Sequence, residues 1–257
     1  MRFLTVAHTD VGITKQINQD AFCVKVARTP AVNVALTVLC DGMGGLKSGE
    51  YASALVVNAF SAWFENELPE VVGSTTDMNA IAQRWNAIVQ DQGKKIMAYG
   101  QSKGISLGTT LTARLVVNNR FLCVHVGDSR LYKVGPTAMQ QLTTDHSFVA
   151  NEVAHKRMTP EQARTDSRKN VLLQCVGASQ VINPEFVSGM VAENDVFMLC
   201  SDGFRHEITE EEMHGVLAPQ LMTSEKVMKK SLTDLIELNK ARSEKDNITA
   251  ILLKAIR

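Results

Sequence analysis

Four short apolar runs rich in valine and leucine, at residues 34–40, 111–117, 121–126 and 196–200, have the length of strands and end at or beside Gly, Asp or Asn. Two stretches break that pattern. Residues 48–68 carry Leu55, Val56, Ala59, Phe60 and Trp63 on one helical stripe, and residues 77–101 do the same with Ile81, Trp85, Ile88, Ile96 and Met97. Both are predicted as amphipathic helices, with Pro69 closing the first, and a third is predicted over residues 224–242. Asn118-Asn119 separates two apolar runs, and asparagine tolerates the positive φ of a hairpin turn, so those strands are expected to pair directly. Strands joined by tight turns argue against a doubly wound parallel sheet and for an α+β fold of antiparallel sheets covered by helices. Residues 147–169 are polar and charged, with a helix start at Met158-Thr159-Pro160-Glu161, and are expected to form a mobile flap. No repeat, low-complexity tract or long linker interrupts the chain, so residues 1–257 are expected to form a single domain.

A length of 257 residues with 45% hydrophobic content is enough for a large core. Lys plus Arg equals Asp plus Glu at 27 each, so no global field draws the protein to nucleic acid or to an anionic membrane, and neither is expected as a partner. Any charge-driven function must be local. The five cysteines, Cys23, Cys40, Cys123, Cys175 and Cys200, show no CxxC spacing and lie in or beside apolar runs, as buried thiols of a reducing compartment do. The first residues turn polar too early for a signal peptide and no segment approaches the ~18 apolar residues of a membrane span. A soluble, cytoplasmic monomer is expected.

Chemistry enters with five aspartates at strand ends or in turns: Asp20, Asp41, Asp128, Asp202 and Asp246. A lone Asp-Gly is ordinarily a turn. Asp41 and Asp202, however, each stand at the mouth of a buried strand, where a carboxylate is costly unless a cation pairs it. Hard oxygen ligands favour Mg²⁺ or Mn²⁺, and no Cys/His set argues otherwise.

Asn18-Gln19-Asp20, Asp41-Gly42-Met43-Gly44-Gly45, Gly49-Glu50-x-Ala52-Ser53, Gly108-Thr109-Thr110, Val126-Gly127-Asp128-Ser129-Arg130, Leu142-Thr143-x-Asp145-His146-Ser147, Cys200-Ser201-Asp202-Gly203 and Asp246-Asn247 follow one another in an order and spacing that resembles the protein phosphatase 2C family. Each motif alone is weak; together, over nearly the whole chain, they are very specific. The resemblance implies a four-layer α-β-β-α sandwich with two central antiparallel sheets, and a centre of two Mn²⁺ or Mg²⁺ ions. It implies that Asp41 bridges both ions, that the carbonyl of Gly42 reaches the second, and that Asp202 and Asp246 complete the first. Asp20 matches an acidic position that acts directly or through water, and Asp128 a ligand of a third, weaker site. The implied activity is hydrolysis of phosphoserine and phosphothreonine in proteins, by attack of a water activated between the ions. The implied partners are phosphorylated proteins and a cognate Ser/Thr kinase.

Two positions depart from the family pattern. Lys15 stands where an arginine usually grips the substrate phosphate, and offers a point charge in place of a bidentate fork. Gln19 stands where many relatives have glutamate, removing a charge beside the metals. Met43 cannot donate a proton where eukaryotic relatives carry a histidine. His146 reads as a loop-bonding residue, and His8, His125, His155, His206 and His214 show no catalytic spacing. Arg130 reads as the partner of a nearby carboxylate, and Trp63 and Trp85 as helix core. The competing readings are a phosphatase restricted to one regulatory phosphoprotein, a phosphatase of small molecules, and an inactive binding module. The last sits poorly with the presence of Asp41, Asp202 and Asp246.

Overall fold

The structure is a computed structural model and describes residues 1–29, 32–44, 48–72 and 76–257. Gly45, the last residue of the second motif, lies outside the described residues.

The strands are β1 (Arg2–Asp10), β2 (Asp20–Arg28), β3 (Asn33–Gly44), β4 (Leu107–Thr109), β5 (Leu111–Val117), β6 (Arg120–Val126), β7 (Arg130–Val134), β8 (Met139–Gln141), β9 (Glu185–Met190), β10 (Val196–Cys200) and β11 (Ile248–Ile256). They form two sheets, ordered β1-β11-β10-β7-β8 and β2-β3-β5-β6-β9, with β4 pairing the far end of β3. The ladders between them are antiparallel. Asn118 takes φ 53° in the turn between β5 and β6, the conformation that its short polar side chain tolerates.

The predicted apolar runs are central strands, and they read as unbroken apolar sequence because both of their faces are covered. In β3, Val34, Leu36, Val38 and Cys40 face one helical layer, while Ala35 and Leu39 face the other sheet. In β10 and β11, Phe197, Leu199, Ile251 and Leu253 meet them between the sheets; Val196, Met198, Ala250 and Leu252 point to the opposite helices. The outer layers are α1 (Gly49–Asn66), α2 (Leu68–Val71) and α3 (Met78–Lys103) on one side, and α6 (Glu210–Leu217) and α7 (Glu225–Ala241) on the other. The result is the four-layer α-β-β-α sandwich, built on three continuous apolar clusters.

The helices follow their stripes. Ala52, Val56, Phe60 and Trp63 of α1 meet Ile81, Trp85, Ile88 and Val89 of α3, and the two indoles lie edge to face at 5.3 Å. Asp77 caps α3 by accepting from the N–H groups of Asn79 and Ala80, and Gly104 ends it at φ 66°. Ser224 caps α7 in the same way. Pro69 does not close α1, which ends at Asn66; it sits within the first turn of α2, where a missing N–H costs nothing. Between β8 and β9 lie α4 (Phe148–Ala154) and α5 (Pro160–Thr165), the latter opened by Thr159 and Gln162 as a reciprocal capping box. Four cysteines are buried and Cys23 is half-buried; all five are free thiols. Among the described residues, no helix is long and apolar enough to cross a membrane.

Candidate metal centre

Antiparallel pairing brings the distant aspartates to one end of the sandwich. Asp20 opens β2 and stands directly opposite Asp41 on β3. β3 runs on past Asp41 to Gly44, so this carboxylate lies within the strand and not at its end. In the facing sheet Asp202 follows β10 and Asp246 precedes β11, and those two strands are neighbours. Asp128 lies in the crossing from β6 to β7, which links the sheets. A hydroxyl joins the two halves: Thr249 of β11 donates to Asp20 Oδ2 at 2.6 Å.

The backbone here is tightly held. The Asp41 N–H donates to Thr110 Oγ1 at 2.9 Å, and its carbonyl accepts from the Thr110 N–H and the Thr109 hydroxyl, both at 2.9 Å. The Gly108-Thr109-Thr110 motif is thus the clamp on Asp41. Gly42 has a packing reason to be glycine, distinct from approach to an ion: a Cβ there would lie 2.3 Å from the Gly49 carbonyl oxygen and 2.6 Å from that of Gln19. Asn247 pins the loop that carries Lys15, donating to the carbonyls of Val11 and Ile17 at 3.0 and 3.2 Å and accepting from the Gln19 N–H at 2.9 Å. The Gln19 amide points to Glu50 Oε2 at 3.4 Å, so a carboxylate remains beside this position although residue 19 is neutral.

Like charges gathered without a counter-ion are costly, and their titration shows it. Burial, followed by the fields of Asp20, Asp202, Asp128 and Asp246, holds the Asp41 carboxyl well above the usual range. Burial, reinforced by Asp202 and Asp246 and opposed by the Thr249 hydroxyl, raises Asp20 to about 7. Asp128 also rises to about 7, chiefly through burial and Asp202, with Arg205 opposing. Asp20 Oδ1 and Asp202 Oδ1 are buried and make no hydrogen bond. Buried carboxylate oxygens of this kind, left without protein donors, fit a hard divalent cation. Lys15 supplies a positive charge at the rim, its Nζ 2.9 Å from Asp246 Oδ1. Burial works against that charge, but Asp246, Asp41 and Asp202 outweigh it and raise the ammonium pKa.

Asp128 is held from the protein side by Arg205, whose Nη2 donates to the Asp128 carbonyl at 2.9 Å. Asp145 binds Arg130 in a fork, with both distances at 2.8 Å. Arg130 is therefore paired with a local carboxylate.

Among the described residues, one set of three potential ligand atoms lies within 4.8 Å of one another, and it is His125, His146 and Glu185. Its hydrogen bonds exclude a metal there. His125 Nε2 faces the carbonyls of Gly127 and Thr144 at 3.0 and 3.1 Å, so it carries the proton, while Nδ1 accepts from Thr112 at 2.9 Å. Burial lowers this imidazole to about 3, leaving it neutral with both nitrogens engaged. His146 Nδ1 accepts from the Gly127 N–H at 3.1 Å, and Glu185 binds the N–H and hydroxyl of Thr144. The cluster braces the corner that presents Asp128.

Two residues passed over in the sequence stand behind two of these aspartates. His206 Nε2 is 3.5 Å from Asp202 Oδ2, and Glu244 Oε1 accepts from the N–H of Asp246 at 2.8 Å. Their positions, four after Asp202 and two before Asp246, were the available signals.

The fold and these residues define an α-β-β-α sandwich with an acidic, cation-seeking centre at the junction of its sheets. The family model of protein phosphatase 2C matches residues 11–246, and the chain belongs to that family. Membership makes it a protein phosphatase. It is 30% identical over 227 residues to the serine/threonine phosphatase stp of Listeria monocytogenes, with 86% of this chain and 85% of the relative covered. The solved serine/threonine phosphatase of S. agalactiae superposes with a TM-score of 0.84 at 29% identity, covering 98% of this chain and 99% of that one. The catalytic domain of the serine/threonine phosphatase PstP in complex with two manganese ions superposes with a TM-score of 0.79 at 28% identity, covering 99% of both chains.

Proposed function

We propose that this protein is a cytoplasmic, monomeric, metal-dependent phosphatase of phosphoserine and phosphothreonine in other proteins, reversing the action of a Ser/Thr kinase. The observation that carries the reading is the half-buried pair of Asp20 and Asp41, opposite one another on adjacent strands and raised in pKa by desolvation first and then by the charges of Asp202 and Asp246. Carboxylates directly opposed in a ladder destabilise it, and a function that needs them is the physical reason to keep them.

In this reading Asp41, the Gly42 carbonyl, Asp202 and Asp246 would hold two Mn²⁺ or Mg²⁺ ions, Asp20 would support them directly or through water, and Asp128 would serve a third, weaker site. Bound there, such ions would supply Lewis acidity, making water acidic enough to act as a nucleophile near neutral pH. Everything else falls to the chain. Asp41 is fixed by its threonine clamp, so the ligand does not move as charge redistributes. Lys15, held charged by the acidic group, attracts the substrate phosphate from the rim. Met43 offers no proton, so the leaving oxygen is protonated by solvent in the centre. Residues 147–169 act as a flap that meets the protein substrate. The test is release of phosphate from phosphothreonine and phosphotyrosine peptides with Mn²⁺ and with EDTA. Turnover of the former only, and only with metal, is expected; full turnover in excess chelator would overturn the reading.

A further inference from the structure

Asp202 opens a single turn, Asp202–Phe204, and His206 follows on the same face. Its imidazole stands between two carboxylates, Nε2 3.5 Å from Asp202 Oδ2 and Nδ1 3.3 Å from Glu244 Oε2. Glu244 is itself buried, at 5% exposure. Its other oxygen, Oε1, accepts from the backbone N–H groups of Lys245 and Asp246 at 2.7 and 2.8 Å. An unbroken path therefore runs from the carboxylate of Asp202, through one imidazole and one buried carboxylate, to the peptide unit that carries Asp246. The path occupies Oδ2 of Asp202 and leaves Oδ1, which has no partner in the protein, directed elsewhere.

We propose that His206 is a positioning residue: with Glu244 it couples the loop after β10 to the loop before β11, so that Asp202 and Asp246 are set in place as a unit for the cation. The inference rests on the reading of those two aspartates as metal ligands. Burying Glu244 near the acidic centre adds a further negative charge, which is costly unless it holds something in register. The imidazole bridges the two carboxylates and transmits the position of one loop to the other. Partners that orient a ligand from behind commonly change metal affinity by roughly 10–100-fold when removed.

The experiment is calorimetric titration of EDTA-stripped protein with Mn²⁺, for wild type, Asp202→Asn, His206→Ala, Glu244→Gln and the double variant His206→Ala/Glu244→Gln. Thermal unfolding in EDTA is recorded beside it. Each single change at His206 or Glu244 is expected to weaken Mn²⁺ by about tenfold or more, and the double variant by no more than the worse single, because both cut one path. The peptide KM at saturating Mn²⁺ is expected to stay at the wild-type value. Should His206→Ala fail to fold, Glu244→Gln, which preserves shape, decides the matter alone. If Asp202→Asn weakens Mn²⁺ while Glu244→Gln and His206→Ala bind it like wild type, the coupling is wrong and the metal reading stands. If the two losses simply add, the residues act separately and the coupling is again wrong. Unchanged binding in Asp202→Asn overturns both.

Discussion

Replacing Asp20 with asparagine tests the charge balance of the centre in both directions. Burial, with Asp202 and Asp246 behind it, raises this carboxyl from 3.8 to about 7. An acid whose folded pKa lies above its unfolded value destabilises the fold increasingly as pH climbs from the lower value through the higher, and the penalty is complete above both. At ~1.4 kcal/mol for each pH step between the two values, ionising Asp20 in the folded chain costs about 4 kcal/mol at pH 8. Asp20 shares its proton balance with Asp41 across the ladder, so removing this one charge relieves about half of that, ~2 kcal/mol. Asparagine keeps an oxygen for the Thr249 hydroxyl and turns an amide donor toward the neighbouring carboxylates. In EDTA at pH 8, Asp20→Asn is expected to melt about 4–8 °C above wild type, with the gap closing toward pH 4. Saturating Mn²⁺ is expected to reverse the order, because the wild type binds the ion more tightly and is stabilised in proportion. Differential scanning calorimetry in the two buffers gives the answer. A wild type that melts at or above the variant in EDTA at pH 8 would refute the argument that uncompensated carboxylates strain this fold.

Two further outcomes are expected at the edges of the site. Lys15→Arg should lower the phosphopeptide KM by roughly fivefold, as ~1 kcal/mol from a bidentate contact would, and Lys15→Ala should raise it; steady-state kinetics giving one KM for all three proteins would show that another residue grips the phosphate. Exchanging residues 147–169 for another polar segment should change turnover of phosphoproteins far more than that of p-nitrophenyl phosphate, and equal effects on both would remove the flap from substrate choice.

Four of the central strands were legible because helices cover both sheets, so residues 34–40 and 196–200 are apolar on both faces, whereas β7 and β11, also interior, were not picked out. β1, β2 and β9 were not, being edge strands with mixed burial, and β9 alternates half-buried with exposed positions along Glu185–Met190. Asp41, Asp128, Asp202 and Asp246 stood out because each is beside a glycine or asparagine, and Asp20 because it closes the Asn18-Gln19-Asp20 step. Asp20 and Asp41 fall opposite one another only once β2 and β3 find their register, which no local pattern states. His206 and Glu244 were invisible for a related reason: their relation exists only once the long connection through α6 and α7 brings β11 back beside β10. Arg130, the last residue of its motif, was read as a partner for a nearby acid, and Asp145 is that acid.

The hydroxyl contact at Asp20 has a directional consequence. Thr249 spends its single proton on Asp20 Oδ2, so the 2.7 Å contact between Thr249 and Thr9 must run from Thr9, whose own oxygen accepts from the Asn18 amide at 2.7 Å. The polarity of this wire is fixed at its acidic end, since an ionised carboxylate can only accept. One oxygen of Asp20 is thereby tied to the opposite sheet, while Oδ1, buried and without a partner in the protein, is left free of that tie.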